Sequence, residues 1–177
     1  MKDNALSMAN YFIELAQKDG HEIRPLRLMK LVYIAHGFML AMLDRSVLNP
    51  RFDRVEAWKY GPVIPSVYHS FKGYGASPIT GKTTVFIGEK TEGSRIVPKI
   101  ETPELSDPDA RKVCEFVWRR YSRFNDVQLV NITHKDGTPW SLIYEEGKNK
   151  EIPDLYTKVY FRKLYNSLLN WAKNGRK

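Results

Sequence analysis

Cysteine is almost absent from this sequence, which contains only Cys114 among its 177 residues. One thiol excludes an intramolecular disulfide and any metal site built from cysteines alone. Disulfides are rare in reducing compartments, and this composition accordingly favours a cytoplasmic protein. Cys114 lies near Val113 and Phe116 in a predicted helix, where we expect a buried and unreactive thiol.

Long apolar runs are also absent. The longest apolar region, residues 26–43, contains Arg27, Lys30 and His36, whereas a transmembrane helix needs about 20 predominantly apolar residues. Residues 1–20 have the pattern of an amphipathic helix and lack the continuous apolar core of a signal peptide. We therefore expect no membrane partner.

Catalytic and metal-binding patterns are lacking too. The sequence contains four histidines, His21, His36, His69 and His134. No two of them have the i, i+4 spacing of helical zinc ligands, and no cysteine accompanies them. Ser66, Ser70 and Ser141 lack the glycine-flanked turn of an activated serine. Glutamates are present, but sequence alone brings no two of them together for acid–base chemistry. We therefore expect a protein that is not an enzyme and that holds no metal or cofactor.

One short pattern, "ASPITGKT" at residues 76–83, fits a relaxed form of the nucleotide-binding loop. Such a loop needs a strand before it and a helix after it, because backbone N–H groups at the helix N-terminus surround the phosphates. Here a predicted helix precedes the pattern and a β-type run follows it, and Pro78 removes one N–H donor. We interpret the segment as a surface turn that binds no nucleotide.

Acidic residues are fewer than basic ones: the chain has 20 aspartates and glutamates and 28 lysines and arginines, which gives a net charge of +8. A basic protein is a candidate for binding nucleic acid or an acidic protein. The basic residues are spread along the chain, however, and the densest groups are small, at 119–123, 161–163 and 173–177. Scattered charge is typical of a solvated surface, so nucleic acid is the second hypothesis.

Helical periodicity is what the sequence does contain, with apolar residues at spacings of three and four. The predicted helices run from about Ala5 to Lys18, Pro25 to Leu43, Ser66 to Lys72 and Asp126 to Thr133, with others starting at the cap candidate Ser106 and at Thr138. The last helix begins near Asp154. It carries an apolar stripe of Leu155, Val159, Leu164, Leu168 and Trp171.

Two β-type runs interrupt the helices. "TTVFIGE" and "RIVPKI" flank "EKTEGS", which is typical of a hairpin loop, so we predict a small β-hairpin over about residues 83–100. No repeat or linker divides the chain. The sequence therefore predicts a mainly α fold with a minor β part: a single compact helical domain over residues 1–177 with a β-hairpin insertion.

An aromatic and proline-containing segment, "VEAWKYGPVIPSVYHSFKGYG", occupies residues 55–75. We expect Trp58 and Phe71 to fill the core. The other rings suit protein recognition, because aromatic side chains lose few rotatable bonds on binding and the prolines lower the cost of ordering the backbone.

This segment and the helix before it resemble a known family. "LRLMKLVYIAHGFMLAM" at residues 26–42, followed by "EAWKYGPV" and "YHSFKGYG", is similar to the Panacea domain of bacterial and phage antitoxins, which includes SocA-type and phage-associated GepA-like proteins. The later block "TPWSLIYEEGKNKEIP" resembles the family's Trp-containing turn before a closing helix. Together the blocks span about residues 26–161.

The resemblance implies a mostly helical antitoxin, usually encoded beside its toxin, that neutralises the toxin by direct protein contact and without catalysis. For the SocA type it further implies delivery of the toxin to a protease. Some relatives carry an added DNA-binding domain, but here the first helix leads directly into the family core. The alternative is a nucleic-acid-binding regulatory protein of a phage or mobile element, and the oligomeric state stays open.

The residues that carry the resemblance are also the candidates for protein binding: Trp58, Lys59, Tyr60, Gly61, Pro62, Tyr68, His69, Lys72, Tyr74 and Trp140. We expect Trp58 and Gly61 to belong to a shared scaffold, because one domain that meets unrelated toxins should vary at its contact surface. The side chains that we expect at the surface are Tyr60, Tyr68, His69, Lys72 and Tyr74.

Overall fold

The computed structural model describes residues 3–90 and 96–174. Within those ranges the helices are α1 (Ala5–Lys18), α2 (Pro25–Met42), α3 (Pro65–Phe71), α4 (Pro108–Tyr121), α5 (Asp126–His134), α6 (Pro139–Ile143) and α7 (Asp154–Asn174), with a 3₁₀ turn at Lys72–Tyr74. The strands are β1 (Glu56–Trp58), β2 (Gly61–Val63), β3 (Val85–Lys90), β4 (Ile96–Glu101) and β5 (Lys150–Glu151). The prediction of a mainly α fold with a small β part is confirmed.

Helix α2 lies at the centre of the fold because apolar residues cover nearly its whole circumference. All residues from Leu28 to Leu40 are buried, and α1, α4, α5 and α7 pack around them. A helix that is hydrophobic on every side is typical of a buried position. Two polar side chains, Lys30 and His36, are enclosed with it and are fully buried.

The buried carboxylate of Asp53 connects α1, α3 and the loop between α2 and β1. It accepts hydrogen bonds from the backbone N–H of Ala5 at 3.1 Å, from the backbone N–H of Asn49 at 3.0 Å and from the hydroxyl of Ser66 at 2.7 Å. Because a buried carboxylate needs such partners, these contacts fix the start of α1 against the loop that leads into β1.

Strands β3 and β4 form an antiparallel hairpin, as predicted. The side-chain amide of the buried Asn10 on α1 donates to the carbonyls of Thr83 at 3.0 Å and Pro103 at 2.9 Å, so it attaches both ends of the hairpin to the helical core. The predicted loop at residues 89–94 extends into residues 91–95, which lie outside the described residues.

A second sheet was missed by the sequence analysis. Strands β2, β1 and β5 pair antiparallel in that order, with Trp58 opposite Gly61 and Ala57 opposite Lys150. β5 joins this sheet from almost a hundred residues away in the chain, and a two-residue strand has too little pattern to predict.

Two further sequence predictions were wrong in detail. Helix α4 is capped by Asp107 and not by Ser106, since the Asp107 carboxylate accepts the backbone N–H groups of Asp109 and Ala110. The apolar residues named for α7 do not all share one face of the helix.

Thr157 and Phe161 are buried and Leu164 and Leu168 pack against the core, while Leu155, Val159 and Trp171 are exposed. Among the described residues, no helix is both long and apolar enough to cross a membrane.

Candidate protein-binding site

The signature corner, residues 56–75, begins with a tight turn between β1 and β2. Trp58 and Gly61 face each other in the ladder, so Lys59 and Tyr60 form the tip between them. Both tip residues are exposed, and Tyr60 keeps 65% of its surface accessible. The corner therefore projects one cationic and one aromatic side chain from a short, hydrogen-bonded turn.

Gly61 occupies a position that only glycine accepts without strain. Its φ angle is +100°, and a Cβ atom there would lie 2.6 Å from Nζ of Lys30 and 2.9 Å from Cε1 of His134. Residues with a side chain rarely adopt such a φ angle, and the space is already filled by the buried amine of Lys30 and the partly buried ring of His134. The chain can pass this point only because residue 61 has no side chain.

Lys30 reaches the corner from the middle of α2. Its side chain is fully buried, and its Nζ donates to the carbonyl oxygen of Pro62 at 3.0 Å. Burial lowers the pKa of this amine from 10.5 to about 7, because the charged form loses its hydration. Sequence reasoning did not include Lys30 among the site residues, because a lysine on a helix gives no sign of pointing inward.

Two more side chains, His134 and Trp140, contact the same turn. His134 Nδ1 lies 2.7 Å from the carbonyl of Val130, and its Nε2 lies 3.3 Å from the carbonyl of Lys59. The indole N–H of Trp140 donates to the carbonyl of Trp58 at 2.8 Å. Side chains from α2, α5 and α6 thus meet three carbonyls of one turn.

Two separate groups of ring contacts lie beside this turn. The Trp140 ring lies 3.8 Å from that of His134. The Trp58 ring meets Tyr68 edge to face at 4.8 Å, and Tyr68 meets His69 at 5.2 Å. Edge-to-face contacts between rings are favourable, so Trp58 of the corner packs with Tyr68 and His69 of α3 as one group.

The ten candidate residues fall into three levels of exposure. Lys59, Tyr60, His69 and Lys72 are exposed, Trp58, Tyr68, Tyr74 and Trp140 are half-buried, and Gly61 and Pro62 are buried. Tyr68 is less accessible than we predicted because Trp58 packs on it. Trp58 itself is only half-buried, so it lines the boundary of the core instead of filling it.

One of the four histidines contacts a hydroxyl and a carboxylate that the sequence analysis did not consider. His36 is fully buried between α2 and its neighbours, with Nδ1 2.8 Å from the Ser46 hydroxyl and Nε2 3.1 Å from Oδ1 of Asp154. His36 lowers the pKa of Asp154 by hydrogen bonding. In serine hydrolases the serine bonds Nε2 and the carboxylate bonds Nδ1, which is the reverse of this order. The contacts attach the start of α7 and the loop after α2 to the core.

The phosphate-loop pattern lies where the sequence analysis placed it, after a helical segment and before β3. The amine of Lys82 forms an ion pair with Glu14 at 3.0 Å. No group of three or more metal-ligating side chains is found among residues 3–90 and 96–174.

Comparisons with known proteins agree with the signature. Residues 28–141 match the family model described as "Antitoxin SocA-like, Panacea domain". The curated protein "Antitoxin SocA" of Caulobacter vibrioides (strain NA1000 / CB15N) is 33% identical over 140 residues, which is 79% of this chain and 70% of that protein. No solved structure matches the chain. The signature corner and Trp140 lie inside the matched segment.

Proposed function

This chain belongs to the SocA-like Panacea antitoxin family, and from that membership we propose that it neutralises a cognate protein toxin by binding it directly. The related protein from Caulobacter is named an antitoxin. In the proposed mechanism the bound protein covers the working surface of the toxin, so no covalent step is needed.

The exposed tip of the signature corner is the observation that carries this proposal. Lys59 and Tyr60 are accessible, while the backbone on both sides of them accepts hydrogen bonds from Lys30 and Trp140. A turn that is already ordered loses little conformational entropy when a partner binds. Tyrosine is also enriched among the residues that dominate binding energy at interfaces.

Delivery of the toxin to a protease is compatible with the same surface, because an adaptor must first hold its cargo. The two mechanisms differ in what happens to the toxin afterwards. Masking leaves the amount of toxin unchanged, whereas delivery shortens its lifetime in cells. Measuring toxin half-life with and without this protein separates them.

The test is co-expression with the protein encoded by the neighbouring gene. We expect that protein to stop growth alone and to be harmless beside the wild-type chain. Replacing both Lys59 and Tyr60 with alanine should weaken the measured Kd by about tenfold or more, since a binding residue of this type contributes about 2 kcal/mol.

Phe52→Ala is the matched control, because Phe52 is an exposed aromatic side chain outside the signature corner. This variant should neutralise the toxin as the wild type does. A neighbouring product that is harmless alone, or that stays toxic beside the wild-type chain, would refute the proposed function.

A second candidate function is binding to nucleic acid, and a group of arginines at the end of α4 favours it. Arg119, Arg120 and Arg123 line a shallow depression together with Phe116. Within the described part of the chain, Arg119 and Arg123 have no carboxylate partner. Cations beside an aromatic ring suit a phosphate backbone and its bases.

Affinity that comes from phosphate contacts falls steeply as salt rises. Filter binding of a random DNA duplex at low and at physiological salt tests this candidate. Retention that disappears at higher salt and in the Arg119→Glu/Arg123→Glu variant would support it, and no retention at either salt concentration would exclude it.

A further inference from the structure

Helix α7 carries apolar side chains that the core does not use. Its buried residues are Thr157 and Phe161, whereas Leu155 is 68% exposed and Val159 is 47% exposed. Residues four apart lie on one face of a helix, so Leu155 and Val159 form a continuous outward strip.

Helix α6 adds the second wall of a groove along this strip. Leu142 is 61% exposed, and it lines a cavity of about 370 Å³ together with Pro139, Leu155, Val159 and Lys163. An apolar groove between two helices is the shape that receives the apolar face of a third helix. Contiguous exposed apolar surface on a soluble domain commonly marks an interaction site.

The charge around the groove indicates what kind of helix it accepts. Helix α7 has four basic residues, Lys158, Arg162, Lys163 and Lys173, against the single acidic residue Asp154. Lys158 and Arg162 both pair with Asp44.

Lys163 stands at the edge of the groove and has no carboxylate partner among the described residues. An acidic side chain on the incoming helix would supply one. A second copy of this chain would instead bring two basic α7 helices together, which is unfavourable.

Helix α6 contacts both the groove and the signature corner. Helix α6 binds the corner through Trp140, whose indole donates to the Trp58 carbonyl, and it presents Leu142 to the groove. A stable interface buries roughly 800 Å² on each partner, which is more than the two exposed side chains at the tip provide. One partner can therefore span both surfaces by crossing α6.

We propose that the groove between α6 and α7 binds an amphipathic helix of the toxin, with an acidic side chain of that helix facing Lys163. This inference rests on the proposed antitoxin function. Leu142, Leu155 and Val159 lie beyond residue 141, where the match to the family model ends. A groove whose lining lies mostly beyond the family-model match is a suitable place for contacts that are specific to one toxin.

The experiment measures the affinity of purified variants for the protein encoded by the neighbouring gene. Leu155→Glu should weaken binding ten- to hundredfold, because a buried leucine contributes apolar contact that a carboxylate loses. Lys163→Glu should weaken it at least threefold and reduce its dependence on salt. Leu169→Glu and Lys173→Glu are the matched controls on the same helix and outside the groove, and each should bind within twofold of the wild type.

The possible outcomes separate this inference from the function on which it rests. If the wild type neutralises the toxin and both groove variants bind as tightly as it does, the groove assignment is wrong and the antitoxin function stands. If the wild type neither binds nor neutralises the neighbouring product, both the groove assignment and the antitoxin function are wrong. If sedimentation shows a wild-type dimer that Leu155→Glu converts to a monomer, the groove holds a second copy and the assignment is overturned. Lys163 is exposed, so its variant also tests the inference if Leu155→Glu folds poorly.

Discussion

Lys30→Met should remove a dependence of stability on pH that the buried amine imposes. The pKa of Lys30 is about 7 in the folded chain and 10.5 for an exposed lysine. Between these values the unfolded chain holds a proton that the folded chain has lost, so the free energy of unfolding rises with pH. Below about pH 7 both states hold the proton, and the full cost of burying the charge is present.

The size of the effect follows from the same two values. At about 1.4 kcal/mol for each pH unit, the cost of the buried charge is at most about 5 kcal/mol below pH 7. Between pH 6.5 and pH 9.5 about 3 kcal/mol of that cost should disappear from the wild type. Methionine has no charge, but it leaves the Pro62 carbonyl without its donor, at a cost of about 1–3 kcal/mol. The variant should therefore be the more stable protein at pH 6.5, and its advantage should be lost or reversed by pH 9.5.

Other buried groups change the stability in the opposite direction as pH rises, and their contribution must be subtracted. Burial raises the pKa of Cys114 and of Tyr33, so the unfolded chain loses those protons first and stability falls at alkaline pH. Both groups are present in the wild type and in Lys30→Met, and the difference between the two proteins at each pH isolates the amine.

Urea denaturation followed by tryptophan fluorescence at half-unit steps from pH 6.5 to 9.5 gives this difference. Two stability curves that stay parallel within about 0.5 kcal/mol over the whole range would show that the amine does not titrate there.

Three further predictions concern buried contacts. Gly61→Ala should lower the free energy of unfolding by about 2 kcal/mol or more, because a Cβ atom would meet the side chains of Lys30 and His134 at a φ angle of +100°. Gly73→Ala is the control: open space surrounds Gly73, so this change should alter the free energy of unfolding by less than about 1 kcal/mol in urea denaturation. Gly37→Ala should lower the melting temperature by several degrees, because its Cβ would lie 2.2 Å from the Phe161 ring; an unchanged melting temperature would contradict the close packing of α2 on α7. Asp53→Ala should lower the free energy of unfolding by about 2–5 kcal/mol, because three donors lose their acceptor. Asp53→Asn keeps one carbonyl oxygen and should lower it by less. Equal losses in the two variants would show that the stability does not depend on the acceptor oxygen.

The parts of the fold that the sequence predicted are those fixed by local pattern. The limits of α1 were correct because apolar spacing and the terminal Gly20 define them within the helix itself. The β3–β4 hairpin was likewise visible as two adjacent β-type runs. The pairing of β5 with β1 was missed, since it depends on two residues that meet a strand far away in the chain.

The exposed side of α7 shows a second limit. Periodicity correctly identified Leu155 and Val159 as sharing a face, but periodicity does not reveal which face another element covers. In the structure, α2 meets the side that carries Thr157 and Phe161. The candidate site has the same limit: its aromatic residues were found from the sequence, whereas the donor Lys30 could be recognised only once α2 and β2 were seen in contact.

The contacts that hold the signature corner separate its architecture from its specificity. Lys30 and Trp140 bind backbone carbonyls of Pro62 and Trp58, and the carbonyl of Lys59 faces His134. None of these contacts uses a side chain of the tip, so exchanging Lys59 or Tyr60 changes the surface offered to a partner without removing a support of the turn. Exchanging Gly61, by contrast, displaces the supporting groups themselves. If the tip and the α6–α7 groove bind a toxin as proposed, substitutions there would alter recognition while the contacts of Lys30 and Trp140 that support the turn are retained.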